Sequence, residues 1–248
     1  MQPSPQKLVI DNLQRMQSAL TEWMIKEEMV GDGLFFTIED WRLRKESFHD
    51  DSLLVLVFDS SPLHSLLNLG CDTSEFDDLI GSFGFWYEMG HSWNMGFYPI
   101  DGYDYSRLKG TYSQKLQDPR WKAKAETVKK RAGYSCQDCK AKARLEAHHC
   151  YYSSMRENYE PWEYPLSALR ALCRECHIER ERAEIRLRAF AASLTRMELD
   201  AMRPAIRDAT YWYQTEAVFK FLSTLGPEER HIQKALDHLR KGVIDHDD

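Results

Sequence analysis

Two Cys-x-x-Cys pairs constrain this chain more than any other feature of its sequence. Cys136 and Cys139 form the first pair, Cys173 and Cys176 form the second, and 33 residues separate them. Each pair places two sulfurs on one side of a tight turn, and four thiolates match the tetrahedral coordination of Zn²⁺. A segment of about 45 residues has too small a core to be stable unaided, so a metal is expected to supply much of its folding free energy. The sequence therefore predicts a structural zinc held by these four cysteines.

The remaining two cysteines, Cys71 and Cys150, are left out of the predicted zinc set. The N-terminus lacks the basic-then-apolar pattern of an export signal, and cysteine pairs in a chain that is not exported favour metal binding over disulfides. No apolar run approaches the ~20 residues that are needed to span a bilayer. We therefore expect a cytoplasmic protein without membrane segments.

Charge is unevenly distributed along the chain, although the formal total is only −6. Residues 1–118 carry 9 Lys and Arg against 19 Asp and Glu, whereas residues 119–190 carry 16 against 10. The region of the cysteine pairs is thus the one basic segment of an acidic chain, which indicates an anionic partner for it. A solvated basic helix face is the alternative if charge alone is considered.

The rest of the pattern predicts an α+β protein with four parts. Residues 6–29 have helical apolar spacing, residues 52–58 form a short apolar run typical of a buried strand, and residues 84–101 alternate aromatic residues with glycines as hairpins do. The aromatic residues from Phe85 to Tyr98 favour a core over a ligand site. The predicted parts are an α+β scaffold or interaction domain (1–105), a connector (106–118), a metal module with a lead-in helix that begins at Pro119 (119–182), and a C-terminal helical region with two main helices (183–248).

Three histidines in the metal region are not needed by the zinc. His148 and His149 lie between the two cysteine pairs in the segment LEAHHCYY, and His177 directly follows the last cysteine. Each one taken singly is more typical of a packing or surface residue. Their placement around the zinc framework instead favours a second, reactive site.

The segments YSCQDC, LEAHHCYY, PWEYP and LCRECH, in this order, resemble the zinc-stapled branch of the HNH nucleases, and the resemblance covers about residues 112–182. It implies a ββα-metal unit in which His148 and His177 bind Mg²⁺ or another catalytic divalent cation. It also implies that His149 is the general base that takes a proton from water. Neutral imidazole can do this near pH 7, and a divalent cation can neutralise charge on a phosphate.

One position departs from the family pattern. Ala168 stands where the family has an Asn that orients the base histidine, which puts efficient catalysis in question. Tyr164, Ser167 and Asn158 are nearby residues that could substitute for the missing side chain.

The expected function is metal-dependent endonucleolytic hydrolysis of DNA, with double-stranded DNA as the expected substrate. No separate base-reading module is evident, so we expect nicking with weak sequence preference. Effectors of phage-defence systems are similar in size and build, which suggests an antiviral role. The alternative is a catalytically inactive, zinc-stapled nucleic-acid-binding or adaptor protein.

Phosphate contacts are expected from the basic residues of the metal module, since each neutralised phosphate releases counterions. These residues are Lys122, Lys124, Lys129, Lys130, Arg131, Lys140, Lys142, Arg144, Arg156, Arg170 and Arg174. Residues 1–105 are expected to bind protein partners or to serve as a scaffold. Their negative charge also suggests that they shield the basic site until a partner displaces them.

Overall fold

The structure is a computed structural model, and it describes residues 4–29, 34–152 and 159–245. It confirms an α+β fold with helices at its C-terminal end. The chain divides into two compact units, Met1–Glu179 and Arg180–Asp248. Each unit is described by itself below.

The first unit begins with a four-stranded sheet and its helices. The elements are α1 (Pro5–Lys26), β1 (Leu34–Thr37), α2 (Ile38–Arg44), β2 (Leu54–Val57), α3 (Pro62–Asn68), α4 (Ser74–Ser82), β3 (Phe85–Met89) and β4 (Asn94–Pro99). The strands are antiparallel in the order β1-β2-β4-β3. Met16 and Leu20 of α1 are fully buried with Phe76 of α4, in the core that these helices share with the sheet. The helix, buried strand and hairpin predicted from the sequence are all present.

Strand β1 has only four residues, and α2 follows it at once because the Thr37 side chain accepts a hydrogen bond from Asp40 N. One detail of this region differs from the predictions. The aromatic residues are only partly core. Phe85 and Phe97 are buried, whereas Trp86 is 47% exposed and stacks on Tyr98.

The metal module also belongs to the first unit. Its elements are α5 (Tyr112–Lys115), α6 (Pro119–Arg131), β5 (Leu145–His149), two 3-10 turns (Pro161–Glu163 and Leu166–Ala168), β6 (Leu169–Cys173) and α7 (Arg174–Ala191), which continues into the second unit. Strands β5 and β6 form an antiparallel hairpin, and Trp121 and Val128 of α6 are buried against it. The predicted start of α6 is confirmed, since the Asp118 side chain accepts a hydrogen bond from Arg120 N at 2.8 Å.

Polar contacts join the sheet region to the metal module within the first unit. Arg15 of α1 forms an ion pair with Glu163, and Lys124 of α6 forms one with Asp78 of α4. Residues on both sides of the predicted connector thus belong to one compact unit.

The second unit contains α8 (Arg196–Trp212), α9 (Thr215–Thr224) and α10 (Glu229–Lys241), after the end of α7. The sequence predicted one helix across α8 and α9. The chain is interrupted there because Tyr213 pairs with Val243 in an isolated bridge and Gln214 N donates to Gly242 O at 2.6 Å. In the described part of the chain, every helix is too short or too polar to cross a membrane.

Candidate metal centre and reactive histidines

The four predicted zinc ligands converge in the structure. The sulfurs of Cys136, Cys139, Cys173 and Cys176 all lie within 4.8 Å of one another, and the Cys139 and Cys173 sulfurs are 3.8 Å apart. A tetrahedral site with Zn–S bonds of ~2.3 Å has edges of about 3.8 Å, so this spacing fits zinc. The cluster is therefore compatible with a structural zinc, as the cysteine pattern predicted.

Backbone hydrogen bonds shape the first cysteine turn and attach it to the hairpin. Cys136 N donates to Ala141 O at 2.9 Å, and Lys140 N donates to Cys136 O at 2.8 Å. Lys140 closes the turn in the left-handed region, with φ of 66°. Gln137 N donates to Ala171 O, and Ala171 N donates back to the Gln137 side chain. The two cysteine pairs are thus held together through β6 as well as through any shared metal.

The surroundings of Cys136 favour its thiolate form. Burial alone disfavours the charge, but backbone N–H groups of Cys139, Cys173 and Asp138 outweigh this and lower the pKa of Cys136 to about 6. A thiolate is the form that binds zinc.

His148 and His177 face each other beside the cysteine cluster. Their ring centroids are 4.7 Å apart, with an angle of 65° between the planes, and a nitrogen of each lies within 4.8 Å of one on the other. Alternation along β5 places Glu146 on the same face as His148, and a Glu146 carboxylate oxygen lies 2.7 Å from His177 Nδ1. A carboxylate in this position fixes the orientation of an imidazole that can bind a metal.

His149 points to the opposite face of the hairpin and is buried. Its Nε2 lies 3.0 Å from Pro161 O, and its Nδ1 lies 3.2 Å from the Tyr112 hydroxyl. The carbonyl can only accept, so Nε2 carries the hydrogen and Nδ1 keeps the lone pair. Burial lowers the pKa of His149 to about 4. The ring is therefore neutral at pH 7 and has one nitrogen that can accept a proton.

Aromatic side chains enclose His149. Trp121 of α6 lies parallel to it, with centroids 4.8 Å apart, and Tyr152 stacks on it at 5.2 Å. Tyr164 presents its ring edge-on at 5.1 Å. Trp121 and Tyr112 were not predicted from the sequence as neighbours of His149. The helical spacing that puts Trp121 on the same face of α6 as buried Val128 was the available signal for Trp121.

The three residues predicted as possible substitutes for an orienting Asn lie in different places. Tyr164 contacts the His149 ring. Ser167 has other partners than His149, because its N–H donates to Glu75 and its hydroxyl accepts from Lys26. Asn158 lies outside the described residues.

The predicted phosphate contacts fall into distinct groups, and one needs correction. Lys124 is only 5% exposed and forms an ion pair with Asp78, so it is not available to a phosphate. Arg170 is paired with Asp138 at 3.0 Å and Arg174 with Glu146 at 3.2 Å. Lys129 is half-buried, and Arg156 lies outside the described residues. The remaining predicted contacts are exposed, namely Lys122, Lys130, Arg131, Lys140, Lys142 and Arg144.

Comparisons of the chain with protein-family models, with curated proteins and with solved structures give no match.

Proposed function

We propose that this chain is a divalent-metal-dependent endonuclease of the HNH type that hydrolyses phosphodiester bonds in DNA. The observation that carries the proposal is the pair His148 and His177, whose rings face each other 4.7 Å apart while four cysteines provide a separate metal cluster. Two imidazoles opposed in this way are not required by a cysteine-bound zinc.

The residues at this pair fit a catalytic cation. His148 from β5 and His177 from α7 would hold it, and Glu146 orients the His177 ring through the 2.7 Å contact. A bound divalent cation would neutralise charge on the scissile phosphate. With two imidazole ligands, a bound cation would have positions left for water and phosphate oxygens.

In this proposal His149 accepts the proton of the attacking water through Nδ1. Pro161 O fixes the ring by accepting from Nε2–H, and Trp121 holds the ring plane by stacking. The Tyr112 hydroxyl lies 3.2 Å from Nδ1, where a water must lie for proton transfer. Tyr112 must therefore move aside or rotate when substrate and water enter.

Exposed cations of the module would bind the phosphate backbone. Lys122, Lys130 and Arg131 lie on α6, and Lys140, Lys142 and Arg144 lie between the first cysteine pair and β5. Such contacts hold a duplex in position without reading its bases. Weak sequence preference follows from this set of contacts.

A second candidate function is nucleic-acid binding without catalysis. Both nitrogens of His149 have a protein partner, and Ala168 is fully buried where the family Asn was expected. The lone pair that His149 would need as a general base is already occupied, and this observation favours the alternative.

One experiment separates the two candidates. Purified zinc-loaded protein is incubated with supercoiled plasmid and Mg²⁺ or Mn²⁺, alongside His149→Ala and the control His238→Ala on α10. Metal-dependent nicking that is lost in His149→Ala and kept in His238→Ala, at equal zinc content, supports the nuclease. Plasmid binding without metal-dependent cleavage by the unaltered protein supports the binding protein instead.

A further inference from the structure

A cavity of about 250 Å³ lies between α1 and the metal module, inside the first unit. Neither His148 nor His177 is among the residues that line it. Four aromatic side chains line it, Trp23 from α1 and Tyr151, Tyr159 and Tyr164 from the module, together with Glu22 and Glu163. The volume is many times the ~15 Å³ that one water requires and just below the ~300 Å³ lower bound for common ligand sites. The size therefore suits one small ring system.

The lining favours a flat molecule with hydrogen-bond donors. Aromatic rings provide surfaces on which a planar ring can stack. Glu22 supplies acceptor oxygens and already accepts from the Tyr159 hydroxyl at 3.3 Å, whereas Glu163 is paired with Arg15. Among the described lining residues, Lys26 is the one cation, and Glu27 and Ser167 hold its ammonium at 2.7 and 2.8 Å.

We propose that this cavity binds a single nucleobase, stacked on the tyrosine rings and donating N–H groups to the Glu22 carboxylate. Nucleobases combine a flat aromatic face with N–H donors on one edge, which is the chemistry that the lining presents. Tyr164 also packs its ring edge against His149 at 5.1 Å. A molecule bound in the cavity would thus contact Tyr164, which itself contacts His149, the proposed general base.

Direct binding tests this proposal independently of any nuclease activity. The full-length zinc-loaded protein is titrated calorimetrically with adenosine, guanosine, cytidine and uridine, and with ribose 5-phosphate as the control probe. Saturable binding of one or more nucleosides at one per chain, with none of ribose 5-phosphate, is expected. Absence of saturable binding of every nucleoside at millimolar concentration would overturn the proposal.

Two variants test whether the nucleosides bind in this cavity. Ala19→Phe fills the cavity from α1, and Tyr159→Ala removes a stacking wall. Each is expected to weaken nucleoside binding about tenfold or more. Ser65→Phe, in a separate surface cavity walled by Pro62 and Leu66, is the matched control and should bind normally. Unchanged affinity in either of the first two variants, with a normal thermal transition and zinc content, would assign binding elsewhere and overturn the proposal.

The nucleobase could come from a free nucleoside or from a nucleic-acid strand. A single-stranded oligonucleotide that carries one 2-aminopurine distinguishes these sources. A fluorescence change that adenosine competes away assigns the site to a base within a strand. Nucleoside binding without such a change assigns it to free nucleosides, and either result retains the site.

Discussion

Trp121 lies flat against His149, with 15° between the ring planes and 4.8 Å between the centroids. Trp121 is 8% exposed and His149 is 5% exposed, so both rings of the stack are buried. It links α6 to β5 and fixes the plane of the imidazole. The lead-in helix thus serves as a wall of the site as well as a carrier of positive charge.

This stack predicts a large and specific stability effect at Trp121. Trp121→Leu should lower the free energy of unfolding by about 3 kcal/mol, because a buried aromatic ring and its stacking are both lost. Trp86→Leu is the matched control, since Trp86 also stacks on a ring but is 47% exposed, and it should cost less than about 1 kcal/mol. Urea denaturation of both zinc-loaded variants measures the difference. Equal losses would contradict the role of Trp121 as a buried support.

Zinc removal should unfold the metal module. The hairpin core is small, and the four cysteines that converge on one point contribute folding free energy only when a metal joins them. We expect one zinc per chain by elemental analysis, and a chelator or Cys136→Ser should lower the thermal transition. Cys71→Ser should leave both the zinc content and the transition unchanged, because Cys71 is exposed and far from the cluster in sequence. Zinc loss in Cys71→Ser would contradict the ligand assignment.

The sequence predicted the parts of the fold that depend on local patterns. The cysteine spacing predicted the metal cluster, and Pro119 indicated the start of α6, because ligand turns and helix starts involve residues close together in the chain. The division between α8 and α9 was missed because Gln214 is held by Gly242, a partner far along the chain.

The environment of His149 was not predictable in the same way. Its contacts come from Tyr112, which is 37 residues away, and from Trp121 in a different element. The pair of Lys124 with Asp78 spans 46 residues. Charge counting treats Lys124 like its neighbours on α6, since only the folded structure shows that this lysine is buried and paired with Asp78 of α4.

Two lysines of α6 should therefore behave differently in DNA binding. Lys122→Met should reduce the salt dependence of affinity by ~0.9 in the log–log slope, if this exposed ammonium neutralises one phosphate. Lys124→Met should leave the slope unchanged and instead lower stability by about 3 kcal/mol or more, because it leaves the Asp78 carboxylate without its buried partner. Fluorescence anisotropy from 50 to 200 mM salt, with urea denaturation, measures both effects. A reduced slope in Lys124→Met would show that this lysine reaches DNA.

Glu163 should make stability depend on pH. Burial, only partly offset by Arg15, raises its pKa from 4.5 to about 7. The folded state therefore binds more protons than the unfolded state between these values, so stability falls as pH rises from about 4.5 to 7. The full effect amounts to about 3 kcal/mol at 1.36 kcal/mol per pKa unit. Glu163→Gln cannot titrate and should lack this component.

The measurement compares unfolding free energies of the unaltered protein and Glu163→Gln from pH 4.5 to 8 at fixed zinc. As the pH rises, the unfolding free energy of the unaltered protein should fall relative to that of Glu163→Gln. Glu229→Gln, at the exposed start of α10, should follow the unaltered protein throughout. A constant difference between Glu163→Gln and the unaltered protein would show that Glu163 does not titrate in this range.

Tyr112 should restrain the proposed nuclease. Its hydroxyl lies 3.2 Å from His149 Nδ1 and 3.2 Å from the Tyr152 hydroxyl, so it competes with an attacking water for the one lone pair that His149 offers. Tyr112→Phe removes this competition and keeps the ring. A net hydrogen bond of 0.5–1.5 kcal/mol corresponds to nicking that is faster by about 2- to 12-fold.

Single-turnover nicking of supercoiled plasmid measures the effect, with Tyr152→Phe as the matched control. Tyr152 stacks on His149, but its hydroxyl meets Tyr112 rather than Nδ1, so the control should change the rate by less than Tyr112→Phe does. Slower nicking in Tyr112→Phe would mean that the hydroxyl positions His149 or the water instead of blocking it. The hydroxyl would then orient His149, which Ala168 cannot do.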